Sequence, residues 1–200
     1  KATHFANGFS KDGKRLYVAS DRASEFREAM NFDLATGVLT RVSGHIPWVV
    51  SSSAASDDGR WFAAQINADG RDELRLFDAA TAKELAAPKL PAGSIGNNMQ
   101  FHRTTHQLAF SVNSAKGPNE LFVLDPESRR SVQWTRAQAP AGIDTSSYAE
   151  QSIVRWKSFD GKTISGLLTR PPQRFTGKRP VIVSIHGGPE AQATMGFQSR

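Results

Sequence analysis

A short stretch near the end of the chain has the residue types best suited to chemistry. Residues 181–185, Val-Ile-Val-Ser-Ile, are followed by His186, Gly187, Gly188 and Pro189. The β-branched run predicts a strand buried on both faces, and the glycines predict a sharp turn that a ligand can approach closely. Bare amides in such a turn can donate hydrogen bonds to the negatively charged oxygen that forms during acyl transfer. An ordinary glycine turn after a strand is the alternative that these residues alone leave open.

The remaining titratable residues give little indication of a metal site. The sequence has no Cys, which excludes a thiolate zinc site, a cysteine nucleophile and a disulfide framework. His102 and His106 have the i, i+4 spacing that metal ligands use on helices, and His4 and His45 complete the set of other candidate ligands. The spacing of the first pair falls across a turn between strands, where two side chains need not share a face. We therefore predict no metal and no cofactor.

Two further groups of residues have a functional and a structural interpretation. Glu25 and Glu28 are candidates for binding a substrate amine, although a solvated loop is the interpretation that we favour. The tryptophans are predicted to pack within or between domains rather than to form an aromatic cage for substrate. They are Trp48, Trp61, Trp134 and Trp156.

The elements that would position these residues begin with an internal repeat. Residues 9–19 form the first copy of a turn followed by an alternating, strand-like run, and residues 55–65 and 101–111 repeat it at intervals of 46 residues. A second unit, strand, aspartate and tight turn, repeats in phase around Asp33, Asp78 and Asp125. Each aspartate is expected to accept hydrogen bonds from backbone amides two residues further on. Short fourth strands are expected at residues 38–40 and 131–133.

Four strands per unit at a period in the mid-forties, without helical periodicity, predict β-propeller blades. Three blades do not close a propeller, so we expect further blades on the N-terminal side of residues 1–147.

The composition changes after Trp134, where residues 135–147 are rich in Ala, Pro, Gly, Ser and Thr and are predicted to form a linker. Residues 153–159 and 163–169 flank Asp160-Gly161, which predicts a β-hairpin. A hairpin followed by a buried strand and a glycine turn is how an α/β-hydrolase domain begins, and the loop after its third strand supplies an amide to the oxyanion hole. We therefore predict last propeller blades with a linker at residues 1–147 and a truncated α/β-hydrolase domain at residues 148–200.

Composition and charge narrow the possible partners. The chain has 200 residues and 38% hydrophobic residues, which supports a packed core. No apolar run approaches the roughly 20 residues that span a bilayer, and no signal peptide is expected at the N-terminus. The net charge of +6 comes from scattered Lys and Arg, so we predict neither a nucleic-acid nor a membrane partner. The compartment, cytoplasmic or periplasmic, and the oligomeric state stay open.

The combination of propeller repeats, residues 154–168 and the His186–Pro189 motif resembles the prolyl oligopeptidase family of serine peptidases. The similarity extends over residues 9–197 and is greatest to acylaminoacyl peptidases and dipeptidyl aminopeptidases. The resemblance implies hydrolysis of short peptides by a Ser-Asp-His triad, with the propeller restricting entry. It implies that the Gly187 and Gly188 backbone forms one side of the oxyanion hole, with Gly188 N–H the stronger candidate. His186 is expected to hold the loop and Pro189 to stiffen it.

The nucleophile of such an enzyme is not found in this sequence. An exposed catalytic serine needs a G-x-S-x-G turn, and the sequence contains none. Ser165, Ser184 and Ser199 lack that context, so the triad is expected downstream and the chain alone is expected to be inactive. Two alternatives stay open, which are a non-catalytic TolB-like propeller that mediates interactions and an esterase with the same oxyanion loop.

Overall fold

Three antiparallel sheets follow one another along the chain, and a β-hairpin comes after them. The computed structural model describes residues 1–96, 98–188 and 191–197. Each sheet is a meander in which sequence neighbours pair, apart from the first two short strands of the third sheet, and we name the sheets blades 1, 2 and 3. Blade 1 contains β1 (His4–Phe9), β2 (Arg15–Ser20), β3 (Glu28–Asp33) and β4 (Leu39–Arg41). Blade 2 contains β5 (Val49–Ala55), β6 (Trp61–Ala68) and β7 (Arg71–Asp78).

Blade 3 contains β8 (Gly93–Ile95), β9 (Gln100–Phe101), β10 (Leu108–Ser114), β11 (Glu120–Asp125) and β12 (Arg130–Gln133). Its first strand is divided, because β8 and β9 both pair with β10. In blade 2 the fourth strand is reduced to one bridge between Phe77 and Glu84. The expected fourth strands at residues 38–40 and 131–133 correspond to β4 and β12.

The predicted aspartate turns are present in all three blades. The Asp33 Oδ1 accepts hydrogen bonds from the amides of Ala35 and Thr36 at 3.0 and 2.8 Å. Asp78 and Asp125 each accept from the amides two and three residues further on in the same way. This local bonding fixes a tight turn after the third strand of each blade, so the predicted capping role is confirmed.

Apolar side chains fill the two spaces between the three blades. Phe62, Ala64 and Ile66 on β6 belong to a core shared with blade 1, whereas Ala63 on the same strand belongs to a core shared with blade 3. This alternation follows from the two-residue period of a strand. Each fully buried Phe or Leu contributes about 1.5–3 kcal/mol relative to an exposed position. Blade 2 is therefore packed on both faces, as a propeller blade is between its neighbours.

The predicted hairpin after the linker is confirmed as β13 (Gln151–Lys157) and β14 (Thr163–Thr169). Gly161 has a φ of 81° in its turn, a conformation that favours glycine. The linker carries one short 3₁₀ turn, Thr145–Ser147, whose N-cap is Asp144. Among the described residues, no helix has the length and hydropathy to cross a bilayer.

The prediction of a buried strand at residues 181–185 is wrong. The segment has no regular secondary structure, and Val181, Ile182, Val183 and Ile185 are 83, 93, 77 and 85% exposed. A strand of this kind needs hydrogen-bonded neighbours and layers on both faces. The β13–β14 hairpin is the one described sheet after residue 148, and it does not pair with this segment.

Candidate functional site

The predicted oxyanion loop is open to solvent. His186, Gly187 and Gly188 are all exposed, and Gly188 has a φ of 77°, which disfavours any residue with a Cβ atom. A Cβ atom added to Gly187 would meet no heavy atom within 4 Å. The His186 Nδ1 lies 3.2 Å from the Gly187 carbonyl oxygen, a local contact within the loop. A ligand can therefore approach the backbone of Gly187 closely. Pro189, which is expected to stiffen the turn, lies outside the described residues.

The segment that follows this loop, residues 191–197, docks on blades 2 and 3. The Met195 amide donates to the Gly70 carbonyl oxygen at 2.7 Å, and the Ser94 hydroxyl donates to the Met195 carbonyl oxygen. The Asn67 side-chain amide donates to the Gln192 Oε1 at 2.9 Å. Met195 is 7% exposed. The β6–β7 turn and β8 together hold one end of this segment.

The next two amides of the segment are bound by side chains. The Gly196 amide donates to the Gln151 Oε1 on β13 at 2.9 Å. The Phe197 amide donates to the Asn113 Oδ1 on β10 at 2.5 Å. The Phe197 ring stacks on Tyr148, with ring centroids 6.3 Å apart and planes 5° from parallel. Three consecutive amides are thus bound by three different elements, and we name these contacts the 195–197 clamp.

Ion pairs join the blades to the residues after the linker. Arg155 on β13 pairs with Asp69 in the β6–β7 turn, and Lys116 in the β10–β11 turn pairs with Glu150 at 2.7 Å. The Asp69 carboxylate side chain is only 12% exposed, whereas Arg155 is half-exposed. We name this set of contacts between blades 2 and 3 and residues 148–197 the seam.

A cavity of about 540 Å³ lies at the seam. The linker, the hairpin and residues 196–197 line it, with Arg174 supplying a positive charge at its wall. The principal lining residues are Tyr148, Gln151, Thr169, Pro172, Arg174 and Phe197.

Glu28 has a structural partner, so the favoured interpretation of a solvated loop is wrong for this residue. It lies on β3, is 2% exposed, and forms two hydrogen bonds with the Arg41 guanidinium at 2.6 and 2.7 Å. Ser24 donates a further hydrogen bond to its Oε1 at 2.6 Å. Burial raises the pKa of Glu28, but the hydrogen bonds from Arg41 and Ser24 outweigh it and leave the pKa below its ordinary value. Glu25 is exposed.

The histidine pair with i, i+4 spacing stabilises a turn. The His102 Nδ1 accepts from the amides of Thr104 and Thr105 at 3.3 and 3.1 Å, in the position that Ser10 and Ser56 hold in the first two repeats. The His106 Nε2 lies 3.5 Å from the Asp58 carboxylate of blade 2. Within the described residues, His, Asp and Glu form no group of three that could hold a metal.

The predicted packing role holds for two tryptophans and in part for a third. Trp48 and Trp61 pack against the two blade cores. Trp134 and Trp156 are 69 and 51% exposed. The Trp156 ring nevertheless covers Gly166 on the paired strand, where an added Cβ atom would come within 2.9 Å of the ring.

Polar residues that the sequence patterns do not predict join the blades. The Asp72 Oδ2 accepts from the Ile95 amide at 2.7 Å and from the Gln65 side chain at 3.0 Å, linking blades 2 and 3. Burial raises the pKa of Asp72, and these two hydrogen bonds only partly oppose it. Asp69-Gly70 is a typical hairpin sequence that locates the β6–β7 turn. The hydrogen bond between the Gly70 carbonyl oxygen and the Met195 amide joins residues that are 125 apart in the sequence, and no local sequence pattern predicts it.

Comparison with known proteins supports the fold. No family model matches the chain, and no curated protein matches its sequence. A puromycin hydrolase structure is similar over 96% of this chain, with 21% identity and a TM-score of 0.75. A prolyl endopeptidase is similar over 83% of this chain, with 16% identity and a TM-score of 0.68. Prolyl oligopeptidase B from Galerina marginata, bound to a 35mer substrate, is similar over 84%, with 16% identity and a TM-score of 0.67.

These likenesses confirm the propeller fold and agree with the family resemblance of the sequence. At this level of identity they concern the fold. The chain spans 31% of the puromycin hydrolase and 24% of each of the two prolyl peptidases. The chain therefore has the propeller-blade architecture of a part of these enzymes, and its structural neighbours are peptidases and hydrolases. The assignment of residues 148–200 to an α/β-hydrolase domain stays a prediction.

Proposed function

We propose that the chain is part of a serine peptidase that hydrolyses peptide bonds in short peptides. One observation carries the proposal: a chain with the propeller fold of prolyl peptidases also contains the His186-Gly187-Gly188 turn with two side-chain-free amides. Neither feature alone points to a peptidase, because propellers serve many functions and glycine turns are common.

The chemistry proposed for the loop is stabilisation of a tetrahedral intermediate. A serine outside residues 1–200 attacks the peptide carbonyl carbon while a histidine base takes its proton, and the carbonyl oxygen becomes an oxyanion. The Gly188 amide, with that of Gly187 beside it, donates a hydrogen bond to this oxygen. Removal of one such donor typically costs about 2.7–4 kcal/mol of transition-state stabilisation. The reaction in this scheme needs no metal or cofactor.

The proposed role of residues 1–147 is to restrict access to the active site. The blades pack face to face through two apolar cores, and in this proposal they form a wall beside residues 148–197. A peptide short enough to pass this wall reaches the site, whereas a folded protein does not. Short peptides are therefore the proposed substrates.

The test uses the full-length protein and three kinds of substrate. We expect hydrolysis of short peptide amides and no cleavage of a folded globular protein, since the latter cannot enter. Cleavage of esters without any cleavage of amides would favour the esterase alternative. Efficient digestion of a folded protein would contradict gating by the propeller, and no hydrolysis of any of the three substrates would contradict the peptidase proposal.

A further inference from the structure

The three consecutive amides of Met195, Gly196 and Phe197 have acceptors that come from separate parts of the fold. The first acceptor is a backbone carbonyl in blade 2, the second is the Gln151 side chain after the linker, and the third is the Asn113 side chain in blade 3. Residues 195 and 196 form a bend, so pairing between strands does not hold them. Three elements bonding to three successive amides therefore fix the segment in position and in rotation.

The clamp lies a few residues after the proposed oxyanion amides. Met195 is seven residues beyond Gly188 in the sequence. The loop itself is exposed, with no heavy atom within 4 Å of a Cβ added at Gly187. Among the described residues, the fixed contacts nearest to the loop are therefore those of the chain on either side of it. Residues 181–185 before the loop are exposed and unpaired, so the described support is the clamp after it.

We propose that the propeller positions the oxyanion loop through the 195–197 clamp, with Asn113 and Gly70 as positioning residues for the reaction. The inference rests on the proposed peptidase function. Neither residue is proposed to touch the substrate. Each binds the segment that follows the loop in the chain, and in this proposal the Gly188 amide is thereby in place before the oxyanion forms. A misplacement of about 1 Å at a catalytic group can cost on the order of 100-fold in rate.

Close packing at Gly70 makes the proposal specific. Gly70 has a φ of 86°, and a Cβ atom added there would lie 3.0 Å from the Ala193 carbonyl oxygen. The Asn67 Oδ1 accepts a hydrogen bond from the Gly70 backbone amide at 2.9 Å. The Asn67 Nδ2 donates a hydrogen bond to the Gln192 Oε1. The β6–β7 turn therefore has little freedom to move away from the segment. A side chain at position 70 would displace the segment.

The test compares four variants of the full-length protein in steady-state hydrolysis of a short peptide amide. Asn113→Leu removes the acceptor of the Phe197 amide, whereas Asn113→Asp keeps an oxygen in its place. Gly70→Ala introduces the clash with Ala193. Gly13→Ala is its matched control, because Gly13 has a φ of 67° and no heavy atom within 4 Å of an added Cβ.

We expect kcat to fall by about 10- to 100-fold in Asn113→Leu and Gly70→Ala, with KM changed by less than about twofold, because the clamp acts on the transition state. Asn113→Asp and Gly13→Ala should keep the wild-type kcat. A kcat in folded Asn113→Leu equal to that of the wild type would overturn the proposal. An equal loss of kcat in Gly13→Ala and Gly70→Ala would also overturn the proposal, because backbone strain alone would then explain both losses.

Hydrogen exchange gives a readout that does not depend on activity. The amides of Met195, Gly196 and Phe197 should be protected in the wild type, and the Phe197 amide should exchange faster in Asn113→Leu. Rapid exchange of all three amides in the wild type would show that the 195–197 clamp is not formed, and it would overturn the proposal even if the enzyme were active. Protected amides in a full-length protein that hydrolyses no peptide would instead refute the peptidase proposal, and with it the catalytic role of the clamp.

Discussion

Glu28 and Asp72 are two largely buried carboxylates whose surroundings shift their pKa values in opposite directions. Glu28 faces the Arg41 guanidinium, so burial is outweighed and its pKa lies below the ordinary 4.5. Among the described residues, Asp72 has only neutral donors, the Ile95 amide and the Gln65 side chain, so burial dominates and its pKa lies above the ordinary 3.8. The decisive difference is the cation beside Glu28.

The two carboxylates should therefore contribute oppositely to the pH dependence of stability. Glu28 stabilises the fold above its unfolded-state pKa, and this contribution is lost as the pH falls through its lower folded-state pKa. The contribution of Asp72 is greatest below its unfolded-state pKa and is lost as the pH rises through its higher folded-state pKa.

Thermal unfolding of Glu28→Gln and Asp72→Asn over a pH series measures both contributions. The Tm deficit of Glu28→Gln relative to the wild type should grow from acid to neutral pH, whereas any deficit of Asp72→Asn should shrink or reverse. Each variant is the control for the other. Parallel pH profiles for the two would contradict the assigned roles.

Gly188→Ala should lower kcat/KM of the full-length protein by about 10²–10³-fold, because the change moves the amide that donates to the oxyanion. The φ of 77° makes alanine strained at this position. Gly177→Ala is the matched control, since Gly177 has a φ of 81° and no heavy atom within 4 Å of an added Cβ. Steady-state kinetics with a peptide amide separate the two, and equal activities would count against the oxyanion role.

At the residue scale, the sequence predicted those side-chain hydrogen bonds whose partners lie close by along the chain. Asp33, Asp78 and Asp125 bond to amides two and three residues away, so their role could be read locally. Glu28 depends on Arg41, thirteen residues away, and the two meet only after β3 and β4 pair. Asn113 and Phe197 are 84 residues apart, and no pattern in a single sequence joins them.

At the scale of the elements, stability should depend on the cores between blades. Phe77 on β7 is fully buried and packs against Phe62 with ring centroids 6.0 Å apart. Phe77→Ala should lower the free energy of unfolding by about 3–5 kcal/mol, since it leaves a cavity between blades 1 and 2.

Urea denaturation measures this loss, with Val38→Ala as the surface control. Val38 lies in the β3–β4 turn and is 55% exposed, so its substitution should change the free energy of unfolding by no more than about 0.5 kcal/mol. Similar losses in the two variants would show that the blade core is not where stability is concentrated.

The element predictions succeeded where a strand is specified by its own repeat and failed where it depends on neighbours. The three blades and the β13–β14 hairpin follow from alternation and turn residues, which are local signals. Residues 181–185 have the composition of a buried strand, but pairing decides whether a strand forms. The reduction of the fourth strand in blade 2 to one bridge likewise has no sequence signal.

At the scale of the whole molecule, blade 2 is complete on both faces, while blades 1 and 3 each have one neighbour among the described sheets. On the outer face of blade 3, Val132 and Trp134 are 59 and 69% exposed. The chain covers 24–31% of the enzymes that share its fold. In the proposed function, the propeller and the catalytic residues meet at the seam.

The peptidase proposal is tested most sharply by the intact mass of the full-length protein before and after treatment with a fluorophosphonate, which phosphonylates the activated serine of serine hydrolases. We expect a gain of one phosphonyl group per chain, and slower labelling in Gly188→Ala because the phosphonyl oxygen needs the same amide donor. A folded full-length protein that gains no adduct would refute the proposed peptidase function. The blades would then be the functional part, and His186-Gly187-Gly188 an ordinary turn.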